Sequence, residues 1–163
     1  MNKQELYVFL DERKIKYTAI EHVSVYTVEE AEKLCLPHHE AGAKNLFLRD
    51  DKKKNYYLLT VRDALAVDLK QFQEKIGSRR LSFASEEDLM RFLALKKGAV
   101  TPFGVLNDTQ CAVQVYIDAY FENKQISVHP NENNATVYLA ANDLVELLRE
   151  HGNRVEYIGL GKK

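Results

Sequence analysis

Apolar and polar positions along this chain follow two periods, about 3.6 and 2 residues, and the switches between them mark its elements. Residues Lys3 to Lys14 put Leu6, Phe9 and Leu10 on one stripe, which predicts an amphipathic helix. Lys16 to Glu21 alternates well enough for a strand. Thr27 opens Thr-Val-Glu-Glu with Glu30 at the capping-box position, so a helix runs to about Leu34 and Pro37 ends it. Lys44 to Arg49 and Tyr56 to Val61 are apolar and β-prone, and the charged segment Asp50 to Asn55 between them reads as a hairpin tip. Asp68 caps a helix to Ile76, stopped by Gly77, and Leu81 to Phe83 reads as a short strand. Ser85-Glu-Glu-Asp88 opens another helix, with Leu89, Phe92 and Leu93 inward and Gly98 as its expected stop. Ala112 to Ile117 alternates as a strand with Val113, Val115 and Ile117 on one face, and Val137 to Leu139 is a second. Asn142 or Asp143 caps a helix through Arg149 that ends at Gly152, and Arg154 to Ile158 is a last strand.

Helices and strands interleave irregularly, with hairpin-like links. This predicts an α+β fold, with a mixed, mostly antiparallel sheet partly wrapped by helices. The length of 163 residues fits one domain over residues 1–163. With 45% hydrophobic and 29% charged residues there is enough apolar material to offset chain entropy, which excludes a disordered chain. A formal net charge of -1 argues against a bulk electrostatic grip on nucleic acid and leaves room for local basic patches. Cys35 and Cys111 lie far apart, without CxxC spacing, so neither a disulfide scaffold nor a zinc site is implied, and free thiols suit a reducing cytoplasm. The charged N-terminal segment does not read as a signal peptide, and no run approaches the ~20 apolar residues of a membrane span.

Nucleotide-binding loops, a nucleophile elbow and a HExxH helix are all missing from the sequence. Three stretches stand out instead. Gly98-Ala-Val-Thr-Pro-Phe-Gly104 gathers two glycines and a proline into one loop. Such a loop can present backbone N–H groups to a developing oxyanion or a water, or it can be a tight connection. His129-Pro-Asn-Glu-Asn-Asn-Ala-Thr136 offers an imidazole able to act as a base or donor, or it is an Asx-rich turn with a surface histidine. Lys44-Asn45 opens an apolar strand, and that lysine matters only if the other two loops converge on it. His38-His39-Glu40 resembles a fragment of a metal site, but adjacent histidines do not easily share one tetrahedral ion. Lys52 to Lys54 reads as a solvated hairpin tip that can also touch an RNA backbone, and Arg79-Arg80 and Lys96-Lys97 share that ambiguity.

Together these stretches resemble the YbaK/ProX family, trans-acting relatives of the editing domain inserted in bacterial prolyl-tRNA synthetase. Within it the chain is most similar to the ProX (PrdX or ProXp-ala) branch. The markers are Tyr26-Thr-Val-Glu-Glu-Ala31, Lys44-Asn-Leu-Phe-Leu48, Tyr57-Leu-Leu-Thr60, Leu81-Ser-Phe-Ala-Ser85, Gly98 to Gly104 with Leu106-Asn-Asp108, and His129-Pro-Asn131 with Asn133 and Ala135-Thr136. The resemblance implies a curved mixed sheet holding a pocket for the aminoacylated 3′ end of tRNA. It implies hydrolysis of mischarged tRNA(Pro), foremost Ala-tRNA(Pro), with no metal and no cofactor. The terminal 2′-hydroxyl assists the water, and the protein positions and stabilises.

On that resemblance Lys44, Gly98 and His129 are the catalytic positions. Asn45, Val23, Tyr26, Val28, Thr101, Pro102, Phe103, Asn131 and Asn133 bind or wall the substrate. Two departures, Val23-Ser24 where the family often has prolines and Asn134 where it usually has threonine, retune which amino acid fits. The implied partners are the 3′ end and acceptor stem of tRNA, with prolyl-tRNA synthetase or an elongation factor as transient partners, in the cytoplasm and away from membranes. The competing readings are a catalytically silent tRNA-binding or regulatory module on the same fold, and an interaction protein using its tyrosine-rich surface.

Overall fold

Local capping chemistry sets most of the elements. The structure, a computed structural model, describes residues 1–161, apart from the side chain of Val28. Asn2 and Glu5 close a capping box on helix α1 (Lys3–Glu12), which leads into strand β1 (Tyr17–Glu21). Thr27 caps α2 (Val28–Lys33) by accepting from the Glu30 N–H. Strands β2 (Ala43–Asp50) and β3 (Tyr56–Arg62) form the expected hairpin. Asp68 caps α3 (Leu69–Ile76), which is followed by β4 (Leu81–Phe83). A Ser85–Asp88 capping box opens α4 (Glu86–Leu93). A 3-10 helix over Pro102–Asn107 precedes β5 (Val113–Asp118), and β6 (Gln125–Val128), β7 (Ala135–Ala140), α5 (Ala141–His151) and β8 (Val155–Ile158) complete the chain.

The strands build two sheets rather than one. Five strands in the order β4-β2-β3-β5-β8 form the larger, and β1-β7-β6 form a small antiparallel sheet. Four of the six strand pairings are antiparallel, as expected, while β3–β5 and β5–β8 run parallel. A bridge between Gly42 and Ser127 joins the sheets next to the start of β2. Every residue from Tyr56 to Val61 is buried, because the larger sheet is covered on both faces. One face carries Phe47, Leu58, Val115 and Ile117 into a large core with Leu6 and Leu10 of α1, Leu93 of α4 and Leu144 of α5. The other carries Leu48, Leu59, Val61 and Tyr116 against Phe72 of α3.

Two expectations need correction, and one strand is added. Helix α4 ends at Ala94, whose own left-handed φ of 54° turns the chain four residues before Gly98. Helix α5 starts at Ala141 after Ala140, which offers no side-chain cap, while Asn142 pairs with Asn123 and accepts from the Tyr157 hydroxyl at 2.5 Å. Strand β6 was not expected, although Gln125 to Val128 alternates polar and apolar positions. Among the described residues no helix is long and apolar enough to cross a membrane.

Candidate active site

The site candidates lie where the two sheets meet. Asn45 in β2 holds the loop after α4: its Nδ2 donates to the Val100 carbonyl at 3.1 Å, while its Oδ1 accepts from Thr60 Oγ1 at 2.6 Å. The next link is Thr101, wholly buried, whose hydroxyl donates to the His129 carbonyl at 2.6 Å. Two side-chain bonds therefore tie together the strand at residue 45, the loop at residues 98–101 and the histidine at residue 129.

Gly98 sits at φ +90°, a conformation that suits glycine. A Cβ built there would lie 3.3 Å from Tyr26 Cδ1 and 3.9 Å from Asn133 Nδ2. Asn133 in turn holds the segment before α2: its Nδ2 donates to the Val25 carbonyl at 3.0 Å and its own carbonyl accepts from the Val25 N–H at 3.3 Å. Tyr26 and Val23 are 70% and 73% exposed, and the Tyr26 ring offers apolar surface beside the glycine.

His129 Nδ1 lies 2.9 Å from the Ala135 carbonyl. A carbonyl only accepts, so Nδ1 carries the proton and, in the neutral ring, Nε2 keeps its lone pair. Burial pushes this imidazole below the ordinary histidine value, and nearby His22 adds to the push against the hydrogen bond to Ala135. The His22 ring stands 6.5 Å away, edge-on, with Nδ1 on the Val23 carbonyl at 2.7 Å and Nε2 on Thr136 Oγ1 at 2.9 Å. A neutral, oriented imidazole, tied to the loop after α4 through Thr101, can position a water and accept a hydrogen bond.

Lys44 needs separate treatment. Successive strand residues face opposite sides, so Asn45 shares the face of Phe47, and Lys44 shares the face of Leu46 and Leu48. Register places Lys44 opposite Val61 and Gly42 opposite Asp63, and the Asp63 carboxylate fills the space that a Cβ on Gly42 would take. Surrounding protein raises the Asp63 carboxyl above the usual carboxylate range although its surface is exposed, and Lys44 opposes that rise. Lys44 thus adjoins Asn45 along β2, and its amine has Asp63 as a neighbour.

Other anticipated contacts turn inward. Phe103 is wholly buried in the large core and Pro102 is buried beside it, so they support the loop from beneath instead of walling a pocket. Asn131, 8% exposed at φ 66°, donates from Nδ2 to the Met1 carbonyl at 3.0 Å, which engages it with the N-terminal segment. The side chain of Val28 lies outside the described residues. The sequence reading missed His22, Asp63 and Lys3. Lys3 donates from its backbone N–H to Glu132 at 2.8 Å and from Nζ to Glu21 and Asn134 at 2.7 and 3.0 Å, bracing the histidine loop from behind. Counting the hairpin register would have exposed Asp63; nothing in the local pattern marks Lys3.

Residues 22–147 match the aminoacyl-tRNA editing domain family, a span that contains Lys44, Gly98 and His129. The prolyl-tRNA editing protein ProX of Acetoanaerobium sticklandii is 47% identical over 159 residues, which cover 97% of each chain. The prolyl-tRNA synthetase associated domain-containing protein 1 of Danio rerio is 35% identical, over 91% of this chain and 82% of its own. The solved structure of a candidate trans-editing enzyme for prolyl tRNA synthetase shares the fold, with a TM-score of 0.72 at 20% identity over 98% of this chain and 97% of that one. Matched across most of its length and nearly half identical to a relative of the same extent, this chain belongs to the aminoacyl-tRNA editing domain family.

Proposed function

We propose that this chain is an editing hydrolase acting in trans, which cleaves the aminoacyl ester of mischarged tRNA(Pro), foremost Ala-tRNA(Pro). The observation that carries the reading is the pair of links Asn45–Val100 and Thr101–His129, which gathers segments distant along the chain around Gly98. An aminoacyl ester is already activated, so orientation and an oxyanion donor suffice without a covalent intermediate. In this reading the Gly98 N–H steadies the developing oxyanion or the water. His129 Nε2 accepts from the water or from the terminal ribose. Lys44 orients the terminal nucleotide, and Tyr26, Val23 and Asn133 border the amino-acid side. Selection is steric: a small side chain fits and the proline ring does not, which is the easier direction for a sieve. The work is cytoplasmic, with prolyl-tRNA synthetase or an elongation factor as transient partners.

A second reading, a silent tRNA-binding or regulatory module, draws on one observation: Lys44 stands on the sheet face opposite Asn45 and beside Asp63. One assay separates the two. The protein is mixed with Ala-tRNA(Pro), Pro-tRNA(Pro) and Cys-tRNA(Pro), and loss of each amino acid is followed. Release of alanine alone, abolished in a folded Lys44→Ala variant, is the expected result. Full turnover in that variant removes Lys44 from the mechanism, and no release from any substrate leaves the silent module.

A further inference from the structure

The end of the β2–β3 hairpin farthest from the site carries charge that the whole chain does not. Lys52, Lys53 and Lys54 are all exposed at its tip. Arg79 and Arg80, also exposed, come from the loop between α3 and β4. Arg79 joins the two segments by a double contact to Asp51, Nε to Oδ1 at 2.6 Å and Nη2 to Oδ2 at 3.0 Å, and it holds the Asp51 carboxyl below the usual range. Asp50 is buried and turned inward, accepting from the Lys54 N–H and from Asn55 Nδ2. Five cations therefore face two carboxylates, one of them paired and the other buried, giving a local net charge of +3 on a chain whose total is -1.

We propose that this hairpin-tip cluster grips the phosphate backbone of the paired acceptor stem while the unpaired 3′ end reaches the site around Gly98. The proposal rests on the reading above and extends it to the way the tRNA lies on the protein. Distance supports it. Lys44 and Asp50 are six residues apart in one strand, about 20 Å at ~3.3 Å per residue, and the lysines lie beyond Asp50. About four unpaired nucleotides end a tRNA, and at ~3.4 Å per stacked nucleotide they span about 14 Å, more when extended, before base pairs begin. The cluster thus stands where duplex phosphates arrive, and duplex RNA is read mainly through shape and backbone. Lys96 and Lys97, exposed directly before Gly98, are placed for the unpaired nucleotides instead.

The test uses two substrates of different length. Lys52→Ala, Lys53→Ala, Lys54→Ala and Arg80→Ala are combined in one variant, with Arg79 kept so that the loops stay joined. For full-length Ala-tRNA(Pro) the variant raises KM about tenfold and keeps kcat. For alanyl-CCA, too short to reach the tip, kcat/KM stays at the wild-type value. Binding of an uncharged acceptor-stem minihelix, read by fluorescence anisotropy across a salt series, gives a log–log slope shallower by about 0.9 for each phosphate that the variant no longer neutralises. Unchanged minihelix affinity and slope in the variant overturn the surface. An equal loss on alanyl-CCA overturns it too, because the effect then belongs to the site. A wild type that releases no amino acid, yet loses minihelix affinity in the variant, overturns the hydrolase reading and leaves the surface standing.

Discussion

Gly98 combines a left-handed backbone with a close aromatic neighbour. A methyl group at this position meets Tyr26 Cδ1 at 3.3 Å and also strains a backbone at φ +90°. The first effect displaces the tyrosine, and the second costs about 1–2 kcal/mol. Gly98→Ala is therefore expected to lower stability by about that amount. Alanine keeps the N–H, so the loss comes from its displacement, and single-turnover deacylation should fall by up to about 10²-fold, the scale of one misplaced oxyanion donor. Thermal unfolding and single-turnover rates on the same preparation check both. A variant that loses stability and keeps its rate shows that the chemistry does not depend on the left-handed geometry at residue 98. At this scale the sequence showed which loops come together and was a poor guide to orientation. Gly98 and His129 lie where their loops converge, whereas Thr101, Phe103 and Asn131 of the same loops turn their side chains into the protein.

Between elements, the critical joint is Thr101, a single hydroxyl that couples the loop after α4 to the end of β6. Replacing it with valine keeps the shape and strands the His129 carbonyl in a buried setting, at a cost of about 1–3 kcal/mol. Thr101→Val is expected to unfold at lower denaturant concentration and to lose activity, and Thr101→Ser is expected to recover both. Equal behaviour of the two variants shows that the bond does not couple the loops. Elements held by local chemistry were legible: Thr27, Asp68 and Ser85 each cap the helix that their side chains announce, and Asp50 to Asn55 turn between two strands as their polarity suggests. Elements decided by tertiary contact were not. Helix α4 stops at Ala94 because that alanine adopts the left-handed turn itself, and Asn142 abandons the cap position for Asn123 and Tyr157. The division into two sheets follows from which edges β1 and β6 find, both of them on β7, and no local period encodes that.

For the molecule as a whole, the depressed basicity of His129 becomes a dependence of stability on acidity. The folded state favours the neutral ring, chiefly through burial. Its contribution is complete above the ordinary histidine value of 6.5 and is lost as pH falls through the lower folded value. Between those two values, unfolding free energy is expected to fall with pH more steeply in the native protein than in His129→Gln. Parallel curves for the two proteins rule out this histidine as the source.

The pairing of β1 with β7 sets residue 17 opposite residue 139, and this long reach decides when the fold can close during synthesis. A nascent chain leaving the ribosome can close its β2–β3 hairpin early, since those partners are near neighbours, but its first strand has no mate until the last quarter of the polypeptide emerges. Bringing such remote ends together is entropically costly and slow. Ester-cleaving competence is therefore a late event in biogenesis, and a translation product cut short before residue 135 leaves the tunnel without it.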